Sequence, residues 1–491
     1  MDEEPVDLEF GWSGDYDDLT RDLRLRVISS SDDNGIWVCI ERRRGGRRQP
    51  RRIVRRRKAT PPLRRSIPAK SCGRRAVKVC MFHLMPYRDL PKDFVQRYDS
   101  AFIDPIWFDV ADSEKVSEYY NATLDELLYA AKAGFHGLCT NQHHQNVYGF
   151  MANPSIMGAV LAKQTNGEDI AIVQLGSTLP STTPPTRIAE EYAMLDCISG
   201  GRLIAGFPTG LPSDAVISNG VVPVEQRERY REALALVVKS WSAREIFAWN
   251  GKHYQLGMVN LWPRPIQQPH PPVWIPGAGF SSTAEYVVDH DYCFCHLSYF
   301  GAKNAKSVTD RYWEMAVRKG RDDNPYRLSF LQLIGVADSD AEAEDLYAEH
   351  AEYFFHKLLY QPEHYLAIPG CLEYNGLVQT LKHNPRAAVD PHSLKAKDFY
   401  ARGYVVVGSP KTVREQLLDG IKELRLGHLL ALLHFGSMPT ELCKRNIDLF
   451  SREVLPYLAG QWDDAYEDRW WPQRLRGKRS PAAAPAMAAA S

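Results

Sequence analysis

From about Val77 to Leu458 the sequence predicts an α/β fold: a (β/α)8 TIM barrel with an insertion before its last unit and disordered segments at both ends. Three observations predict it. Short apolar runs alternate with longer amphipathic ones, the pattern of strand–helix units. Polar and glycine-rich clusters follow the short runs directly, where a barrel gathers its reactive groups. A block of extreme charge sets the first 76 residues apart. A chain of 491 residues accommodates one decorated barrel with tails, because barrels of roughly 250 residues fold as single units even with insertions.

Val77 to Met85 (VKVCMFHLM) reads as the first strand, and Thr123 to Ala133 as a helix stopped by Gly134. His136 to Thr140 is the second strand. Asn153-Pro154 opens a helix with proline where a missing N–H costs least. Ile170 to Ser177 is the third strand, and Arg187 to Ile198 a helix ended by Gly200-Gly201. Leu203 to Phe207 is the fourth, followed by a helix from Val224 to Trp241. Val273 to Pro276, Tyr292 to Leu297 and Phe330 to Ala337 are the fifth to seventh, with a helix from Asp338 to Phe355. Tyr404 to Val407 and His428 to Leu433 both qualify as the eighth. The second is favoured because it is followed by a closing helix, Pro439 to Leu458. Leu358 to Phe399, rich in Pro, Gly and His, is then the insertion.

The formal charge is zero, yet it is unevenly spread. Glu41 to Ala76 holds 14 Arg and 2 Lys against one acid, whereas residues 1–40 hold 11 acids and 3 Arg. Such self-repelling stretches bury too little surface to fold. Residues 1–76 therefore read as a low-complexity Arg-rich segment, a disordered tail or translated upstream sequence, with an RNA-binding or localisation arm as the functional alternative. Residues 77–458 form the barrel and 459–491 a C-terminal tail. The body is mildly acidic, which argues against nucleic acid or an anionic membrane as partner. No run of 18 apolar residues is present to span a membrane, and MDEEPVDLEF lacks the apolar core of a signal peptide. The 9 Cys show no CxxC or zinc spacing. Cys293 and Cys295 share a strand face and are expected as buried reduced thiols, which fits a cytoplasmic protein.

Reactive groups are expected after the strands: Asn141, Gln142, His143 and His144, then Gly176 to Thr178, Phe207 to Gly210, Gly277 to Thr283, and His434 to Ser437. The cluster holding His143 and His144 is the densest, and histidine handles protons near neutral pH. Adjacent residues in extended backbone face opposite ways, so this pair does not readily share a metal, and no HxH or HExxH occurs. No metal is expected. Pro276-Gly-Ala-Gly279-Phe-Ser-Ser-Thr283 follows a strand and enters a helix. Gly279 allows close approach, and Ser281, Ser282 and Thr283 at a helix start suit an anion.

Gly134-Phe-His-Gly137, Asn141-Gln-His-His-Gln-Asn-Val-Tyr148 with Asn153-Pro154, Arg187-Ile-Ala-Glu-Glu-Tyr-Ala-Met-Leu-Asp196 and Ser199-Gly-Gly-Arg-Leu203 occur in that order. They continue with Trp262-Pro-Arg-Pro-Ile-Gln-Gln-Pro-His-Pro-Pro-Val-Trp-Ile275, Gly408-Ser-Pro-Lys-Thr-Val413 and Phe450-Ser-Arg-Glu-Val-Leu-Pro456. Through this set, residues 77–458 resemble the bacterial-luciferase-like flavin-dependent monooxygenases. The resemblance implies an oxidoreductase acting on paired donors: reduced FMN, often from a separate flavin reductase, and O2 oxidise a small organic substrate. It implies a homodimer, places His143 near the reactive flavin edge with His144 assisting, and puts a non-prolyl cis peptide at Gly176-Ser177 beneath the ring.

Two departures stand out. The family Glu before the His pair is Gln142, and an Arg common after the fourth strand is Thr209. Phosphate contact then falls to Arg227 or Arg229 on the next helix, to the Ser281 to Thr283 turn, or to nothing. Tyr148 and His434 are candidates for the substrate pocket. Arg187, Glu190, Glu191 and Asp196 are expected in ion pairs, and Trp241, Trp262, Trp274 and Trp313 in the core. Two further readings stay open: a deazaflavin-dependent dehydrogenase or reductase on the same barrel, and a non-catalytic flavin-binding or subunit barrel.

Overall fold

The computed structural model describes residues 23–28, 37–42 and 74–477, apart from 280, 363–364, 366–367, 369 and 372–392. These divide between two units, Met1–Ser71 and Cys72–Ser491. In the first unit, Leu23–Ile28 pairs antiparallel with Trp37–Arg42. The Arg-rich stretch at 43–73 and the Ala/Pro-rich end at 478–491 lie outside the described residues, as does most of the insertion expected at Leu358 to Phe399.

The second unit holds eight barrel strands: β1 (Lys78–Phe82), β2 (Gly137–Thr140), β3 (Ala171–Gln174), β4 (Leu203–Gly206), β5 (Val273–Gly277), β6 (Cys293–His296), β7 (Leu328–Val336) and β8 (His428–Leu432). Each pairs in parallel with the next, and β8 pairs with β1 to close the ring. Buried on both faces, these strands need no polar alternation, which is why they read as short continuous apolar runs.

The helices that return the chain are α1 (Ser113–Lys132), α2 (Pro154–Gln164), α3 (Thr186–Ser199), α4 (Gln226–Ser242), α5 (Ser281–Asp289), α6 (Gly301–Arg318), α7 (Pro410–Leu424) and α8 (Thr440–Leu449). Asp112 caps α1 by accepting from Glu114 N and Lys115 N, and Asn153 caps α2 in the same way. α3 ends at Gly200 in the left-handed region, φ 67°. No helix among the described residues is long and apolar enough to cross a membrane.

The nine residues of β7 resolve the two candidates for the last strand. Ser329–Leu333 pairs with β8 inside the ring. Leu333–Val336 pairs with Val405–Gly408, which stands outside it as a ninth strand. His428 to Leu433 is thus the closing strand, as the sequence predicts. Cys293 and Cys295 are fully buried free thiols on β6. Trp241 and Trp274 are buried, but Trp262 is 77% exposed and does not join the core. Among the described residues Asp196 forms no ion pair; it accepts from Gln267 N at 2.9 Å and Gln267 Nε2 at 2.8 Å, while Arg187 lies 3.8 Å from Glu191.

The chain after Leu458 departs from the expected tail. Trp462–Asp463 pairs with Arg74–Arg75, and Trp470, Trp471 and Leu475 are buried. The Trp471 ring stacks on His428 with centroids 5.7 Å apart, and Trp274 Nε1 donates to Trp470 O at 2.9 Å. His428 and Trp274 lie at the starts of β8 and β5, so this segment seals the N-terminal mouth of the barrel. Tryptophan area buried against the barrel outweighs the basic, Ala/Pro-rich composition of the last residues. Trp471→Ala should therefore cost about 3–5 kcal/mol, read as a lower urea midpoint in equilibrium unfolding. An unchanged midpoint would mean the seal is not part of the cooperative unit.

Candidate active site

The loops after the strands meet at the opposite mouth. Asn141 Nδ2 donates to His83 O at 2.6 Å, tying the ends of β2 and β1. Gln142 spans the loops after β2 and β3: its Nε2 donates to Ala152 O at 3.1 Å, and its Oε1 accepts from Thr178 N at 2.7 Å. An amide donates and accepts at once, which a carboxylate does not. Gly176 passes so near that a Cβ there would sit 2.3 Å from Gln142 N. Tyr192 OH donates to Gly176 O and Gly206 O, and Ser177 is buried beside it. The cis peptide expected at Gly176-Ser177 is absent: the cis bonds among the described residues all precede proline, at Pro184, Pro263 and Pro269. A non-prolyl cis bond costs about 3 kcal/mol, and glycine's missing side chain gives the close approach without it.

His143 and His144 meet one carboxylate that the sequence reading missed. Asp214, in the short helical segment Ser213–Ser218 after β4, is buried. Its Oδ2 lies 2.9 Å from His143 Nδ1, and its Oδ1 accepts from His144 N at 2.9 Å and from Asn146 Nδ2 at 3.3 Å. The two histidines therefore reach Asp214 differently, one through its ring and one through its backbone. Burial lowers the His144 imidazole pKa below its ordinary value, against the pull of Asp214.

An aromatic group stands over His143. Tyr148 meets its ring edge to face at 4.8 Å and Phe102 at 4.5 Å, and the Tyr148 and Tyr299 hydroxyls share a hydrogen bond. Tyr299 in turn packs on Phe354 at 5.0 Å. Tyr299, Phe102 and Phe354 carry no motif of their own. Their signal is position alone, since Tyr299 falls three residues past the end of β6.

A second group forms a cleft lined by Thr209, Arg227, Tyr230, Arg231, Ser282, Thr283 and Tyr286. Arg227 donates through an Nη to Ser282 Oγ at 2.6 Å and through Nε to Cys371 O at 3.1 Å. Thr209 enters from the loop after β4, its carbonyl held by Gln226 Nε2 at 3.1 Å. Ser281 starts α5. Gly279 has φ 101°, and a Cβ there would sit 2.4 Å from Val308, so both backbone and packing demand glycine. Arg229, the other expected phosphate contact, points elsewhere: its Nε donates to Glu225 at 2.9 Å and its guanidinium lies over Tyr254. Residues two apart on a helix do not share a face.

His434 is fully buried away from this cleft. Its Nε2 donates to Met438 O at 2.8 Å, and its ring stacks on His83 at 4.7 Å. His83 Nε2 lies 2.7 Å from Glu126, which Arg88 also holds at 3.1 Å. One ligand atom from each of His83, Glu126 and His434 falls within 4.8 Å of the others, the spacing of a metal cluster. His83 Nδ1, however, accepts from Met85 N at 3.0 Å, so the ring proton sits on Nε2 and faces Glu126. Arg88 already neutralises the carboxylate. The group is a buried ion pair rather than a ligand set, and the substrate-pocket role expected of His434 is not where its polar atoms point.

Comparison with known proteins agrees with this architecture. The family model for luciferase-like monooxygenases matches residues 105–426, and the chain belongs to that family. The oxygenase component of flavin-dependent trigonelline monooxygenase from Acinetobacter baylyi is 25% identical over 239 residues, 48% of this chain and 64% of that protein. Among solved structures, the oxygenating constituent of 3,6-diketocamphane monooxygenase from Pseudomonas putida, in complex with FMN, is 19% identical. It superimposes with a TM-score of 0.58 over 78% of this chain and 98% of its own. A coenzyme F420-dependent secondary alcohol dehydrogenase is 14% identical, with a TM-score of 0.53 over 78% of this chain and 99% of its own. These two structures share the fold.

The buried cluster predicts how acid acts. Burial lowers the His83 and His434 pKa values, so both take up protons at lower pH in the fold than unfolded imidazoles, which do so near 6.5. Below that pH the unfolded state binds more protons, and stability falls as pH falls. Glu126 acts in the same sense further down. Burial opposes its ionisation, but His434, His83 and Arg88 outweigh that and hold its carboxyl well below the usual range. Its contribution is complete above the unfolded value of about 4.3 and is lost on further acidification. The urea midpoint should fall below about pH 6.5, and His434→Leu should flatten that fall by up to about 1 kcal/mol per pH unit. Superimposable profiles would remove His434 from this account.

Proposed function

We propose that the protein is a monooxygenase that uses reduced FMN and O2 to oxidise a small organic substrate, with a separate reductase supplying the reduced flavin. The observation that carries this reading is the 2.6 Å contact between the Arg227 guanidinium and Ser282 Oγ at the start of α5. A guanidinium, hydroxyls from Ser282, Thr283 and Thr209, and the first amides of a helix suit a terminal phosphate. These residues fit FMN, and Arg227 takes the place of the family arginine that Thr209 replaces. The FMN-bound structural neighbour and the oxygenase-component relative support the same choice.

Bound there, reduced FMN would supply the electrons that activate O2. The chain's own part is proton handling and shelter. With Nδ1–H given to Asp214, His143 presents Nε2 as the atom that takes a proton from, or returns one to, the reacting partners. Asp214 fixes that tautomer and, through His144 N, the turn that carries it. Phe102, Tyr148, Tyr299 and Phe354 keep bulk water from the imidazole.

The reading is tested by titrating the purified protein with FMN, reduced FMN, riboflavin and a deazaflavin. FMN should bind, and Arg227→Ala should weaken it about 10- to 100-fold, the loss expected for one charge-assisted hydrogen bond, while leaving riboflavin affinity unchanged. Tight deazaflavin binding without FMN binding would replace the reading with a deazaflavin-dependent dehydrogenase, the activity of one structural neighbour. Binding of neither would favour a non-catalytic barrel.

A further inference from the structure

Tyr148 follows β2 and Tyr299 follows β6. In the closed ring, with β1 to β8 paired in order, those two strands lie on opposite sides. A hydrogen bond between the two phenols therefore spans the C-terminal mouth from wall to wall. Beneath it lies the His143 ring, in contact with Tyr148 at 4.8 Å and held from the β4 side by Asp214 at 2.9 Å. Phe102, from the loop after β1, and Phe354, after β7, back the two tyrosines at 4.5 and 5.0 Å. Tyr148 is 4% exposed, and the His143 side chain only 14%. As the structure stands, the imidazole is covered.

We infer that the Tyr148–Tyr299 hydroxyl pair is a latch across the barrel mouth, and that substrate reaches His143 when this hydrogen bond opens. The inference needs no bound flavin, so it stands or falls separately from the proposed reaction. Both phenols sit on loop segments beyond the strand ends, where motion costs less than within the sheet. A neutral hydrogen bond joins the two phenols, and its loss shifts an opening equilibrium about five-fold. Burial pushes the Tyr299 hydroxyl up to about 12, so this phenol keeps its proton near neutral pH. Tyr299 is thereby assigned as a gating residue, one that controls access to the imidazole without entering the chemistry.

The test measures access to His143 directly on the full-length protein. Diethyl pyrocarbonate acylates an imidazole nitrogen, and with Nδ1 bonded to Asp214 the reaction falls to Nε2. Rates are read residue by residue from peptide masses, in wild type, Tyr299→Phe and Tyr148→Phe. Each substitution removes one hydroxyl and keeps the ring. Acylation at His143 should rise about five-fold in both variants. The rate at exposed His290 should be unchanged. The rate at His428, buried at the far mouth of the same barrel, should also stay low. The double variant should be no faster than either single one, since both break the same bond. An unchanged His143 rate in both variants would overturn the latch. So would a parallel rise at His428, which would report general loosening rather than opening of one mouth.

Discussion

His428 to Ala431 of β8 lie in register with Lys78 to Met81 of β1, and this parallel pairing turns an open sheet into a ring. Parallel pairing at every step of the ring gives all strands the same direction, so all of the strand-to-helix loops emerge at one mouth. That is how residues far apart in sequence, His143, Asp214 and Tyr299, come to surround one imidazole. It is also why the other mouth must be sealed. There the aromatic segment Trp470–Trp471 covers His428 and Trp274, and apolar burial substitutes for a ligand.

At the functional mouth, charge is placed sparingly and always answered. Asp214 is buried against three donors from the loop after β2. Glu126 is buried against Arg88 and His83. Arg227 on α4 donates to Ser282 Oγ and to the Cys371 carbonyl. A buried carboxylate without donors would cost far more than any one of these bonds returns.

Much of the barrel was legible because fully buried strands cannot hide their composition. Val77 to Met85 and His428 to Leu433 read as apolar runs whatever packs on them. The His143 cluster and the Gly279 to Thr283 turn were legible because strand-end position and residue type coincide. Asp214 was not, since it sits 71 positions from His143 in a six-residue helical segment too short to show a periodic pattern. Arg227 and Arg229 looked equivalent, yet the buried stripe Gln226, Tyr230, Ala233, Val237 on α4 distinguishes them. Arg227 and Arg229 lie on opposite flanks of that stripe, Arg227 one turn before Arg231 and Arg229 one turn before Ala233. The seal after Leu458 was obscured by the basic and Ala/Pro-rich residues beyond it, although Trp462, Trp470 and Trp471 announced a segment with area to bury.

The central claim is that one end of the mouth holds a flavin phosphate and the other a proton-handling imidazole. Its most direct measurement is a crystal structure of the protein with FMN. The phosphate oxygens should lie within hydrogen-bonding distance of Arg227 and the Ser282 hydroxyl, with the ring system reaching His143 while Nδ1 stays on Asp214. A phosphate seated elsewhere, or a flavin ring remote from His143, would contradict the account.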